Sequence, residues 1–217
     1  MITSMSDIIC ITNRKLCKGN FLERMDEIAR HKPKAVILRE KDMSEEEYAI
    51  LAKEVMKICQ NYDVTCVLHS FVKNAVNLGA KALHLPLPLL RQMKESERVG
   101  FKEIGTSCHS TADAAEAEQL GCTYIIAGHI FETDCKKGVP PRGLSFLSEV
   151  CQTVKIPVYA IGGINSENIA SVKKAGAKGG CVMSGFMTCP DVGKFVGKFP
   201  AQSDVPEIAE SMGDGGI

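Results

Sequence analysis

Along the chain, short and nearly continuous apolar runs alternate with longer segments that mix apolar and charged positions. The runs cover Ile8 to Thr12, Ala35 to Leu38, Val64 to Leu68, Ala82 to Leu85, Phe101 to Ile104, Tyr124 to Ala127, Val158 to Ile161 and Gly180 to Met183. Runs this short, with no polar residue at every second position, are the pattern of parallel strands covered on both faces. The longer segments carry helix start and stop signals. Ser44-Glu-Glu-Glu47 predicts a capping box: the Ser44 hydroxyl accepts from the Glu47 amide and the Glu47 carboxylate reaches back. Leu51, Val55 and Ile58 follow at helical spacing. Ser110 or Thr111 is placed to cap a helix over 112–120 that Gly121 stops, and Asn165 or Ser166 to cap one over 167–175 that Gly176 stops. After the fourth run, Pro86 and Pro88 delay the helix and leave little more than Leu89 to Lys94.

Strict alternation of strands and helices predicts a single-domain TIM (β/α)8 barrel over residues 1–199. An open doubly wound sheet is the alternative, but it usually carries a glycine-rich loop after its first strand, where this chain has Thr12-Asn-Arg-Lys15. Residues 200–217 hold four carboxylates and no basic residue and read as a loosely packed acidic tail.

Charge and composition narrow the function classes. Lysine plus arginine number 26 and acidic residues 26, so the net charge is zero, and there is no tryptophan. Nucleic-acid binding, which needs a basic face, is not expected. The absence of a long apolar run and of a basic-then-apolar N-terminus argues against membrane insertion and secretion and for a cytoplasmic protein. None of the ten cysteines forms a Cys-x-x-Cys pair, and several sit inside apolar runs, such as Cys66 and Cys181. They read as reduced core thiols rather than as metal ligands.

In a TIM barrel the working side chains follow the strand ends. Those positions hold Arg39-Glu-Lys41, His69-Ser70, Pro86, Ser107-Cys-His109, Gly128 to Lys137, Gly162-Gly163 and Ser184-Gly185. Glycines after the last two strands let backbone N–H groups approach an anion, and a helix start at Asn165 would add a positive dipole end, so this pair of loops is a candidate phosphate site. The plainer reading is that the glycines make tight turns. Arg39 and Lys41 can pair with a carboxylate or a second phosphate, or with surface acids. His31, at a helix end, and His84, inside a strand, read as structural. The loop after strand six, Ala127 to Gly143, is long for a compact barrel, and long loops of this kind are often functional. It places His129 two residues past the strand, and an imidazole moves protons near neutral pH.

On these residues the chain resembles the thiamin phosphate synthase superfamily over roughly residues 7 to 199. The carrying motifs are Leu38-Arg-Glu-Lys41, Ile104-Gly-Thr-Ser-Cys-His109, the loop from Gly128 to Lys136, Ala160-Ile-Gly-Gly-Ile164 and Val182-Met-Ser-Gly185. The loop Gly128-His-Ile-Phe-Glu-Thr-Asp-Cys-Lys-Lys-Gly138, with Arg142-Gly143, is similar to the thiazole tautomerase (TenI) branch. The synthase pattern carries Gln where this chain has Ile37, Asn-Asp where it has His69-Ser70, and an aspartate after the fourth strand, where His84-Leu-Pro-Leu-Pro-Leu89 has no carboxylate. In synthases those aspartates hold the magnesium of the pyrimidine diphosphate, and His129 replaces a proline.

The resemblance therefore implies a tautomerase that aromatises a 2-carboxy-thiazole phosphate, with His129 as the proton-transferring residue. Gly162, Gly163, Met183 and Ser184 would surround the phosphate, and Arg39, Lys41, Ser107, Thr133 and Lys136 would contribute to substrate binding. No metal and no cofactor is implied, and the family suggests a homodimer. Two alternatives stand: a thiamin phosphate synthase, joining hydroxymethylpyrimidine diphosphate to thiazole phosphate, and a non-catalytic phosphate-binding regulator of the same fold.

Overall fold

The computed structural model describes residues 5–200; apart from Pro200, the acidic tail lies outside the described residues. Eight strands, β1 (Met5–Ile11), β2 (Pro33–Leu38), β3 (Thr65–His69), β4 (Ala82–Pro86), β5 (Glu103–Cys108), β6 (Tyr124–Gly128), β7 (Val158–Ile161) and β8 (Gly179–Val182), close into a barrel in sequence order. Every pair of neighbours is parallel, including β8 against β1. Helices α1 (Phe21–Arg30), α2 (Glu45–Asn61), α3 (Val72–Asn77), α4 (Leu87–Gln92), α5 (Glu95–Arg98), α6 (Thr111–Gln119), α7 (Gly143–Thr153), α8 (Ile169–Lys174), α9 (Ser184–Thr188) and α10 (Val192–Val196) fill the connections. The observed architecture is the TIM barrel that the alternation predicts.

Two cores explain why the strands read as unbroken apolar runs. Ile9, Ile11, Ala35, Ile37, Val67, Ala82, Tyr124, Ile126, Tyr159 and Cys181 fill the barrel interior. The residues alternating with them, among them Cys10, Val36, Leu38, Leu68, Leu83, Ile125 and Ala127, pack outward against the helices. The longer helices answer with an apolar stripe: α2 buries Tyr48, Ala52, Val55 and Cys59. The predicted Ser44–Glu47 capping box is formed. A cap is worth about 1 kcal/mol, and one fully buried large apolar side chain about 1.5–3 kcal/mol. Packing therefore holds α2, and the cap sets where it begins. Tyr48 also ties the helix to the sheet: its hydroxyl donates to the Leu38 carbonyl at 2.7 Å and accepts from the His69 amide at 2.9 Å.

Several boundaries differ from the sequence reading. The fifth strand is Glu103–Cys108, not Phe101 to Ile104. It is built from small and hydroxyl residues: the Tyr124 ring occupies the space a side chain at Gly105 would need, and the buried Thr106 hydroxyl donates to the Leu85 carbonyl. Ser107 is thus a strand residue. His69 and Pro86 end their strands rather than follow them, and Gly128 ends β6, so His129 is the first residue beyond it, not the second. Pro88 does not delay a helix; it sits in the first turn of α4, where its missing N–H has no partner to lose. Asn165 makes the capping bonds expected of it, its side chain accepting from the Glu167 and Asn168 amides and its carbonyl from the Ile169 amide, but regular helix α8 begins only at Ile169.

Candidate functional site at the barrel mouth

The C-terminal ends of the strands form one rim. Because β7 and β8 are paired in parallel, Gly162-Gly163 and Met183-Ser184 leave the barrel side by side. Gly162 and Gly163 take φ of +98° and +67°, and both are pressed by the loop after β6. A Cβ on Gly162 would collide with the Cβ of His129, and one on Gly163 would stand 2.5 Å from the Glu132 carbonyl oxygen. Only glycine fits such an approach. Ile130 N–H donates to the Ile161 carbonyl at 2.8 Å and Phe131 N–H to the Gly162 carbonyl at 3.1 Å. The far end of the loop returns to its start, with Arg142 N–H on the His129 carbonyl and Gly143 N–H on the Ile130 carbonyl, both at 3.0 Å. His129 is buried, 8 % exposed, with Nε2 at 3.2 Å from the Val139 carbonyl. A carbonyl oxygen only accepts, so Nε2 donates to it, and in the neutral ring Nδ1 keeps its lone pair.

On the other side of the mouth, Glu40 is buried and fully engaged. It accepts from the Thr12 hydroxyl at 2.6 Å, from the Arg14 amide at 3.0 and 3.1 Å, and from the Arg14 guanidinium at 3.2 Å. Arg14 also grips Asp42 with two bonds, which holds the Asp42 carboxyl well below the usual carboxylate range. The Arg39 amide donates to Thr12 Oγ1 at 3.0 Å. This lattice fixes the run Arg39-Glu-Lys41 while Arg39 and Lys41 themselves join no ion pair among the described residues. Partial burial, then the charges of Arg39 and Lys136, push the Lys41 ammonium down. Lys136, in the β6 loop, is thus near enough to the end of β2 for its charge to act on Lys41. A cleft of about 270 Å³ opens there, lined by Glu40, Lys41, His69, Ser70 and Phe71.

Between these two sides lies a buried polar chain. The His84 ring bonds the Tyr124 hydroxyl at 3.1 Å through Nδ1 and Ser107 Oγ at 2.9 Å through Nε2. The His69 ring stacks on His84 at 5.6 Å, and its Nδ1 meets Ser70 Oγ at 2.7 Å. Burial, then the charges of His84, Arg39 and Lys41, push the His69 imidazole down to about 2. Burial, then Arg39, push His84 to about 3. Both rings are neutral at physiological pH.

The structure thus places the sequence-selected residues in two groups. His129, Gly162, Gly163, Met183 and Ser184 gather at the ends of β6, β7 and β8. Arg39, Lys41 and Lys136 gather across the mouth, with Ser107 between them on the His84 chain. Thr133 opens the short 3-10 turn Asp134–Lys136 and gives it no side-chain cap. His109 is exposed and bonds the Gly128 carbonyl, and His31 ends α1. Glu40 and His69 were singled out by position but given no role, His84 was read as structural, and Tyr124, Thr12 and Arg14 were missed as site residues. Histidines at the inward ends of two adjacent strands were the available signal.

Magnesium bound through carboxylates does not fit this rim. The ends of β3 and β4 offer His69, Ser70 and Pro86, neutral imidazoles and a hydroxyl where a hard cation prefers carboxylate oxygens. Glu40 is already committed to Thr12 and Arg14.

A closed parallel barrel with glycine loops at β7–β8 and a basic rim opposite defines a (β/α)8 protein suited to anionic small molecules. Comparison with known proteins makes this specific. A family model described as thiamine monophosphate synthase (TMP-TENI) matches residues 8–186. The thiamine-phosphate synthase of Syntrophomonas wolfei is 32 % identical over 199 residues, 88 % of this chain and 93 % of that protein. A putative thiamine-phosphate synthase 2 of Aquifex aeolicus is 35 % identical over 83 % of this chain and 97 % of its own length. The solved thiamine phosphate pyrophosphorylase of Pyrococcus furiosus superposes with a TM-score of 0.77 at 30 % identity, covering 90 % of this chain and 94 % of that one. The chain belongs to the thiamine monophosphate synthase family, enzymes of thiamine biosynthesis that act on phosphorylated small molecules. No helix among the described residues is long and apolar enough to cross a membrane.

Proposed function

We propose that this enzyme is a thiazole tautomerase, an isomerase that aromatises a 2-carboxy-thiazole phosphate. The observation that supports it is the buried His129, its Nε2 hydrogen spent on Val139 and its Nδ1 lone pair unpartnered among the described residues, packed directly against Gly162. In this reading the phosphate sits on the Gly162-Gly163 and Met183-Ser184 loops, and Arg39, Lys41, Ser107, Thr133 and Lys136 hold the rest of the substrate. His129 Nδ1 takes the proton from ring carbon two. The C–H electron pair enters the ring as a new double bond, the ring double bond moves one position on, and the electron pair of the exocyclic double bond takes the proton back from the same imidazolium at the exocyclic carbon. No atom is gained or lost, and no metal or cofactor takes part. The same reading makes the enzyme a cytoplasmic homodimer; all ten cysteines are free.

The names of the relatives favour a second reading, a synthase joining a hydroxymethylpyrimidine diphosphate to thiazole phosphate. We rank it second because β3 and β4 end without the carboxylates that a magnesium diphosphate requires. The experiment supplies purified protein with each substrate set, with and without EDTA, and identifies products by NMR. Isomerisation unaffected by EDTA, and lost about 10²–10⁴-fold in His129→Asn, supports the tautomerase. Rapid magnesium-dependent formation of thiamine phosphate replaces it with the synthase.

A further inference from the structure

The cleft at the ends of β2 and β3 contains a donor that nothing so far has used. His69 is 6 % exposed, yet it lines this cleft. Its Nδ1 meets Ser70 Oγ, and its Nε2 has no partner among the described residues. A buried imidazole nitrogen left without a partner is costly unless something else satisfies it. The ring is held on three sides. Its backbone amide is pinned by the Tyr48 hydroxyl at 2.9 Å, its face stacks on His84, and Ser70 beside it is fixed at φ +68° with its N–H on the His84 carbonyl. Non-glycine residues in that region concentrate at functional sites.

The charges around the cleft favour an anion. Lys41 lines it and Arg39 acts on both His69 and Lys41. Glu40 also lines it, but its carboxylate is saturated by Thr12 and Arg14. We propose that this cleft is the subsite for the substrate's carboxylate and that His69 is a specificity-determining residue there, donating from Nε2 beside the Lys41 ammonium. The assignment rests on the tautomerase reading. The Ser70 hydroxyl rotates to donate to Nδ1, so an anion in the cleft selects the tautomer with hydrogen on Nε2. Because burial and the flanking cations keep the ring uncharged, it recognises the carboxylate by a directed hydrogen bond, and Lys41 supplies the charge.

Two substitutions separate this role from a structural one. His69→Gln keeps a donor near the Nε2 position, while His69→Asn keeps one near Nδ1 and loses the reach. Calorimetry on the unaltered protein and both variants uses two probes: the aromatic 2-carboxy-thiazole phosphate, and the same thiazole phosphate without its carboxylate. The unaltered protein should prefer the carboxylated probe by at least about tenfold. His69→Asn should weaken that probe by about tenfold and leave the other within twofold, and His69→Gln should restore most of the loss. In turnover, His69→Asn should raise KM with kcat within twofold. Equal loss for both probes, or no preference in the unaltered protein, overturns the assignment and leaves the tautomerase reading standing. Failure of the unaltered protein to bind either probe overturns both.

Discussion

Replacing Tyr48 by Phe tests how the mouth is held. Tyr48 is completely buried on α2, and its hydroxyl is the sole bridge described between that helix and the ends of two strands, donating to Leu38 and accepting from His69. Phenylalanine keeps the ring, its volume and its contact with Phe71, whose centroid lies 4.3 Å away. What changes is a carbonyl and an amide that lose a partner where water does not reach. Each unmet buried group costs about 1–3 kcal/mol. Removing the hydroxyl's own desolvation offsets part of that, so the net loss is about 2–4 kcal/mol. In a domain of this size 1 kcal/mol shifts Tm by about 2–4 °C, so Tm should fall by roughly 5–15 °C. Urea unfolding followed by circular dichroism measures the loss directly. Since the His69 amide is one of the orphaned groups, affinity for the carboxylated probe should fall as well. A loss under about 0.5 kcal/mol would refute the reasoning, because it would mean that both groups find other partners at no cost.

Acid should destabilise the fold through the buried imidazoles of His69 and His84. His69 and His84 are neutral in the native state down to about 2 and about 3, whereas the unfolded chain binds protons near pH 6.5. Their contribution is complete above pH 6.5 and is lost as pH falls toward the native values, at about 1.4 kcal/mol per pH unit for each ring. Urea titrations at pH 7 and pH 5 should differ by about 4 kcal/mol, and a flat profile would contradict the burial assigned to these rings. Glu40→Gln keeps the shape of the lattice but turns an amide group toward the Arg14 N–H. Arg14 is 31 % exposed and retains Asp42, so a stability loss of about 1–3 kcal/mol is expected rather than the full cost of orphaning a buried charge. KM should rise as Arg39 and Lys41 lose their frame; unchanged KM would place those two cations outside the binding site.

Much of this was legible in the sequence because the barrel repeats one simple rule. Strands buried on both faces must be apolar throughout, and seven of the eight runs stood out on that ground. The fifth did not, since Gly105 and Thr106 are buried, and Ser107 half-buried, by a neighbour's ring and by hydrogen bonds rather than by their own hydrophobicity. Ser44 and Glu47 announced α2 because a cap is a local interaction four residues long. Asn165 marked the turn that leads into α8 but not the residue where regular helix begins, since one capped turn precedes it. The adjacency of the glycine loops followed from strand order alone. The Glu40 lattice and the His69–His84 chain were hidden for the opposite reason: their partners come from different strands, and nothing in a linear pattern says that Thr12, Arg14 and Glu40 meet.

The loop after β6 is sewn down at both ends. Ile130 and Phe131 continue along β7, and Arg142 and Gly143 fold back onto His129 and Ile130. Its tip, residues 132–141, is almost wholly exposed. Such an arrangement divides the labour of inheritance: mutation can change the side chains and the charge of the tip while the imidazole stays where it is, as long as the Val139 carbonyl keeps its place on Nε2. Descendants of one ancestral barrel could diverge in what they accept without re-inventing the group that acts on it. For an engineer, the tip outside Val139 is the segment to randomise, and Gly162 is the residue to leave alone.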